Sequence, residues 1–92
     1  MKFGTMYKYK VLDLTTGYYG NYGNLGYCNL PLLPCKEQII NEFYKFCSQN
    51  DKNFIDENYE NIKTEVVCGK LPAVIYIYNN DKAIGCLEPQ KD

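Results

Sequence analysis

Alternation of apolar and polar residues begins at Tyr7. The run YKYKVLDLTT, Tyr7 to Thr16, is rich in aromatic and β-branched residues and predicts a strand that ends at Gly17. Lys8 and Lys10 alternate with Tyr7, Tyr9 and Val11, so the first half is expected to be half exposed, with Leu12 and Leu14 entering the core. A different period follows Pro34. Ile39, Ile40, Phe43, Phe46 and Cys47 recur at helical spacing, and Lys36, Glu37, Asn41, Lys45 and Ser48 fall on the other side. This predicts an amphipathic helix from Cys35 to Gln49, stopped by Asn50-Asp51-Lys52-Asn53.

Phe54-Ile55-Asp56 reads as a short strand followed by a polar helical turn through Asn61. Thr64 to Cys68 reads as another short strand. Pro72 to Tyr78, PAVIYIY, is apolar on both faces, the pattern of a central strand covered on both sides. Asn79-Asn80-Asp81 then turns the chain, Lys82 to Leu87 returns antiparallel, and Glu88 to Asp92 reads as a frayed tail. The expectation is one α+β domain over residues 1–92. A mixed or antiparallel sheet of about four strands carries the helix 35–49 across one face. Its expected core is Leu12, Leu14, Ile39, Ile40, Phe43, Phe46, Val67, Val74, Ile75 and Ile77.

One stretch fits neither period. In GYYGNYGNLGY the glycines fall at 17, 20, 23 and 26. Four triplets without proline cannot hold a collagen helix, and neither phosphate-binding glycine pattern is present. Asn and Gly tolerate positive φ, which predicts a string of turns or an irregular hairpin. Tyr, Asn and Gly together also suit a recognition loop, combining rigid contact area with adaptable hydrogen bonding. On that reading Tyr18, Tyr19, Asn21, Tyr22, Asn24 and Tyr27 contact the partner.

Composition narrows the chemistry more than it names it. Ninety-two residues with 46% hydrophobic content match one small folded domain. Tyrosine is abundant, ten residues beside four Phe and no Trp, which suits half-buried strands and binding surfaces alike. A net charge of −1, with a basic cluster of only Lys2, Lys8 and Lys10, offers no stripe for nucleic acid. Histidine is absent, which removes Cys-His and Ser-His-Asp catalysis and the usual general base near neutral pH. The five cysteines include no C-x-x-C, so no metal site is expected. Asp56, Glu57 and Glu60 read as a solvated face. The odd number of cysteines, with a polar start over Met1–Lys8 and no apolar run of membrane length, predicts reduced thiols and a cytoplasmic protein, in the host cytoplasm if phage-encoded.

Pro34-Cys35-Lys36 opening an amphipathic helix resembles the second half of a thioredoxin active site. Phe54 to Asn58 is similar to the second strand and acidic end of that family. Leu71-Pro72, the apolar strand, the Asn-rich turn, Lys82 and Ile84-Gly85 are similar to the cis-proline strand and hairpin of thioredoxins and glutaredoxins. The resemblance covers Pro34 to Gly85 and implies a thioredoxin-like fold, with Cys35 near a helix N-terminus that lowers a thiol pKa. The position three before Cys35 is Leu32, so the family's paired cysteine is not there, and Cys28 is the nearest substitute.

Two functional expectations result. The first is a non-enzymatic recognition or inhibitor protein without a cofactor, binding a macromolecule and most simply a protein. A phage or mobile-element anti-defence protein, anti-CRISPR-like in blocking a nuclease, belongs to this class. A nucleotide or nucleic-acid partner is less favoured by the charge. The alternative is a thioredoxin-like thiol-disulfide protein using Cys35 and Cys28. Self-association is expected if the strand starting at Tyr7 lies at a sheet edge.

Overall fold

A computed structural model describes residues 5–18, 21–67 and 69–90. Among them run strand β1 (Tyr7–Tyr18), strand β2 (Asn21–Leu30), helix α1 (Lys36–Tyr44), helix α2 (Gln49–Asn58), a 3-10 turn (Tyr59–Asn61), and strands β3 (Ile62–Val66), β4 (Ile75–Asn79) and β5 (Lys82–Pro89). The strands form one five-stranded sheet in the order β2-β1-β5-β4-β3, and every pairing is antiparallel. The class is α+β, with five strands rather than about four.

The extra strand is β2. Of the two arrangements open to the Gly/Tyr stretch, the irregular hairpin is the one found. Its register slips at Leu25, between the pairs Val11↔Gly26 and Leu12↔Asn24, and again toward the tip. At the slip Asn24 Oδ1 accepts the Gly26 N–H at 3.2 Å, and Gly26 adopts φ 144°, which a side chain would resist.

The single expected helix is two. Pro34 precedes Cys35, the N-cap of α1, whose backbone N–H donates to Gln38 Oε1 at 2.9 Å, and Glu37 in the first turn suits the dipole. Helix α1 ends in a turn closed by Phe46 N–H donating to Phe43 O at 3.1 Å. Ser48 then starts α2, its Oγ accepting the Asp51 N–H at 3.2 Å. The Asn-Asp-Lys-Asn run is therefore the first turn of a helix, not the stop of one. Short polar residues favour both positions, and Ser48 three residues before Asp51 decides between them. Phe54-Ile55-Asp56 lies within α2 and is no strand.

Burial follows the strand period in β1 and β4, whereas β5 buries Ile84 to Leu87 in a row. Tyr7, Tyr9, Val11 and Asp13 share one face, paired with Leu30, Cys28 and Gly26 of β2 and with Pro89, Leu87 and Gly85 of β5. Ile75 and Ile77 continue that face on β4, and Ile62 on β3. Both helices cover it, because Ile39, Ile40, Phe43 and Ile55 join Tyr9, Val11, Leu30, Ile62, Ile75, Ile77 and Leu87 in one cluster. Fully burying each such side chain contributes about 1.5–3 kcal/mol. Tyr44 OH donates to Asp56 Oδ2 at 3.0 Å and ties α1 to α2, while Lys36 Nζ donates to Tyr59 O at 3.1 Å.

Five expected core positions differ. Leu12 and Leu14 are only half-buried, because they share the parity of Lys8 and Lys10 and so point away from the helices. Val67 is 41% exposed just past the end of β3, and Val74 and Phe46 are half-buried. Strand β4 is central as expected, yet the helices cover only its Ile75/Ile77 face, while Tyr76 and Tyr78 stand half-buried on the other. The Leu71-Pro72 peptide is cis.

Candidate functional site

Strand β1 has a β5 partner only as far as Asp13, which pairs with Gly85. Beyond that point residues 14–18 and 21–22 continue as a two-stranded arm with no third strand among the described residues. Twelve residues at about 3.3 Å each give β1 a length near 40 Å, comparable to the 41 Å long axis of the molecule.

The arm forms one wall of a groove of about 750 Å³. Asp13, Thr15 and Leu25 come from the β1–β2 arm, Phe43, Phe46, Cys47 and Ser48 from the corner between the helices, and Asp51, Phe54 and Ile55 from α2. Asn79, Lys82 and Ile84 close it from the β4–β5 hairpin. Two glycines make room for its floor. An added Cβ at Gly85 would lie 2.5 Å from Phe43 Cε1, and one at Gly26 would lie 2.7 Å from Phe46 Cε1. In the β4–β5 turn Asn80 takes φ 54°, a conformation asparagine accepts readily. The register slip between Ile77 and Tyr78 falls opposite Ile84, which is buried and faces the groove.

The groove is apolar at its centre and rich in acceptors at its margin. Asp13 Oδ1 accepts from Thr15 N–H at 2.8 Å and from Thr15 Oγ1 at 2.6 Å. Asn79 Oδ1 is buried and has no hydrogen-bond partner among the described residues. Burial pushes the Cys47 thiol up to about 11, and the nearby Asp51 and Asp13 carboxylates push the same way against Lys52. Cys47 therefore stays a protonated thiol at neutral pH, and its Sγ donates to Phe43 O at 3.4 Å.

The residues singled out in the Gly/Tyr stretch are strung along the hairpin rather than gathered in a loop. Tyr18 and Asn21 pair at the backbone near the tip, Tyr22 follows in β2, and the side chains of all three lie outside the described set, as does Tyr19 altogether. Asn24 and Tyr27 lie on the sheet face away from the helices, opposite Leu12 and Lys10. Tyr27 is 49% exposed, with Lys8 Nζ 4.5 Å from its ring centroid. From Asn21 to Tyr27 the strand spans about 20 Å.

Of the two cysteines named for thiol chemistry, Cys35 is exposed at the N-cap of α1, whereas Cys28 is buried in β2 with its thiol pushed up to about 11 by burial. Cys28, Cys35, Cys47 and Cys86 are all free thiols. Among the described residues no group of three or more Cys, Asp or Glu is placed to hold a metal ion, and no helix is long and apolar enough to cross a membrane.

The groove is what sequence reasoning missed. Phe43 and Phe46 stand three apart beside the Phe54-Ile55 pair, an aromatic excess that one helix stripe on a small sheet does not need. Taking Phe54-Ile55 for a strand hid that signal. Comparison with known proteins finds no family model, no curated protein and no solved structure that matches this chain.

Proposed function

We propose that this chain is a non-enzymatic recognition protein whose β1–β2 arm and adjoining groove hold a segment of a protein partner. The groove carries the reading: about 750 Å³ of open, largely apolar space built by three separate parts of the fold. A Tyr-, Asn- and Gly-rich arm beside it supplies contact area and hydrogen bonding at low ordering cost. Inhibition by occupancy is the simplest consequence of such binding, and an anti-defence inhibitor of phage or mobile-element origin is one form of it.

A photo-crosslinking residue at Thr15, on the groove wall, tests the reading in a lysate of the cells that express the protein. A discrete protein adduct is expected there and none from the same residue at Glu57, which does not line the groove. Replacing Phe54, an exposed residue of the groove lining, by Ala should weaken the adduct with thermal stability retained. Adducts to nucleic acid alone, or an adduct indifferent to Phe54, would refute it.

The thioredoxin-like alternative rests on the exposed Cys35 at the start of α1. Against it stands the buried, protonated Cys28, a poor partner for thiolate exchange.

A further inference from the structure

The sheet is forked beside the groove. Strands β1 and β5 keep one register from Tyr9↔Pro89 to Asp13↔Gly85, and there their pairing ends, although β1 runs on to Tyr18 and β5 begins at Lys82. The same register would join Leu14 to Ile84, Thr15 to Ala83 and Thr16 to Lys82, and among the described residues none of these pairs is made. Both strands also break their other ladder at this level. Ile84 is the extra residue of β5 where its register against β4 slips, and the β1–β2 register slips between Asp13 and Tyr18. Bulges bend strands and end pairing in this way. Thr15 has no partner in either ladder, and its N–H goes instead to Asp13 Oδ1 at 2.8 Å. The groove reaches into the fork, since Asp13 and Thr15 line it from one side and Lys82 and Ile84 from the other. Its margin carries both signs of charge, Asp13 and Asp51 against Lys82, so charge selects no occupant. The open strand edges do.

We propose that an extended segment of a protein partner enters the fork as a strand, pairing with β1 on one side and with β5 on the other. An open edge offers a row of main-chain donors and acceptors, and adding a strand to it is a recurrent way of holding a peptide. Successive side chains of a strand point to opposite faces. Every second residue of the segment therefore lies over Phe43, Phe46 and Phe54 on the helix side and is apolar, and the residues between them emerge beside the half-buried Leu14 on the open face. A helical segment leaves both edges bare, because its main chain is bonded to itself. This inference rests on the recognition reading and supplies the form of the partner.

The test is selection of a random dodecapeptide library against the whole chain, followed by fluorescence anisotropy with the enriched peptides. Expected is enrichment of apolar residues at every second position. N-methylation of each of several successive central amides should weaken binding at least about fivefold, as losing one hydrogen bond does, because neighbouring N–H groups of an inserted strand serve opposite edges. On binding, amide hydrogen exchange should slow both within residues 14–16 and within residues 82–84. No enrichment, apolar residues spaced three and four apart, tolerance of N-methylation at alternate amides, or protection on fewer than both strands overturns the inference. If binding then still depends on Phe54, the recognition reading stands without it. A dimer of the free chain that the peptide dissociates names a second copy as the occupant and overturns it as well. Peptides that bind with no dependence on Phe54 and protect neither strand overturn both.

Discussion

A single methyl group on Gly85 should loosen helix α1 from the sheet. Its carbon would lie 2.5 Å from Cε1, 2.7 Å from Cζ and 3.1 Å from Cδ1 of Phe43, whose residue is only 4% exposed. Unstrained carbon pairs sit about 3.5–4.0 Å apart, so the ring must retreat by roughly 1 Å. Gly85 is not at positive φ, so alanine is conformationally allowed and loses less chain entropy on folding, a gain of about 0.5–1 kcal/mol. Overpacking of this kind costs about 1–3 kcal/mol. The groove gives the ring one direction of escape, which favours a net loss of about 1–2 kcal/mol. At about 4–8 °C per kcal/mol for a domain of this size, the melting temperature should fall by about 5–15 °C. Thermal and urea denaturation of Gly85→Ala, Phe43→Leu and the double variant measure it. The double variant should be more stable than the sum of the two losses by about 1 kcal/mol, since the shorter side chain makes room for the methyl. A Gly85→Ala protein within 0.5 kcal/mol of wild type, or a cycle with no coupling, would show that Phe43 does not rest on Gly85.

Two further perturbations test the rest of the interior. Tyr9 is 0% exposed and its hydroxyl has no hydrogen-bond partner among the described residues; Tyr9→Phe should leave stability unchanged or raise it by up to about 1 kcal/mol, and a loss of that size in urea denaturation would reveal a hidden partner. Burial pushes the thiols of Cys28, Cys47 and Cys86 from 9.0 up to about 11. Their contribution to stability is therefore fully present below about pH 9 and is lost as pH rises through about 11, because the unfolded chain releases those protons first. Melting curves from pH 8 to 11 should show this decline, and mapped iodoacetamide labelling at pH 7.5 should modify Cys35 well before Cys28, Cys47 or Cys86. Equal labelling of Cys28 and Cys35 would refute the burial argument and revive exchange between them.

The sheet-and-helix class was legible because β4 is a continuous apolar run, an Asn-rich turn joins it to β5, and Ile39, Ile40 and Phe43 recur at helical spacing. Two features escaped for opposite reasons. In β1 the pattern was clear but was not followed to its end. Lys8, Lys10, Leu12 and Leu14 share one parity, so a strand that keeps its period cannot place the leucines inside and the lysines outside. In β2 the pattern was absent, since NYGNLGYCNL has too few large apolar residues to alternate, and its strand character comes from pairing with β1. The same pairing makes β1 an interior strand, so the edges are β2 and β3, and self-association through the strand starting at Tyr7 loses its structural premise. The groove lay further from reach, since it depends on where β1, α1–α2 and the β4–β5 turn meet.

The pairing of β1 with β5 sets the order in which this fold can assemble. Tyr9 meets Pro89 and Val11 meets Leu87, whereas the β1–β2, β3–β4 and β4–β5 pairs join neighbours in sequence. The local hairpins can form as the ribosome releases them, but the seam between them closes only after β5 emerges, against the entropy of a long loop. Until then β1 presents an unpaired inner edge flanked by Tyr9 and Val11, an aggregation-prone template. Folding should therefore be slow for a domain of this size, and synthesis at high concentration should be where yield is lost.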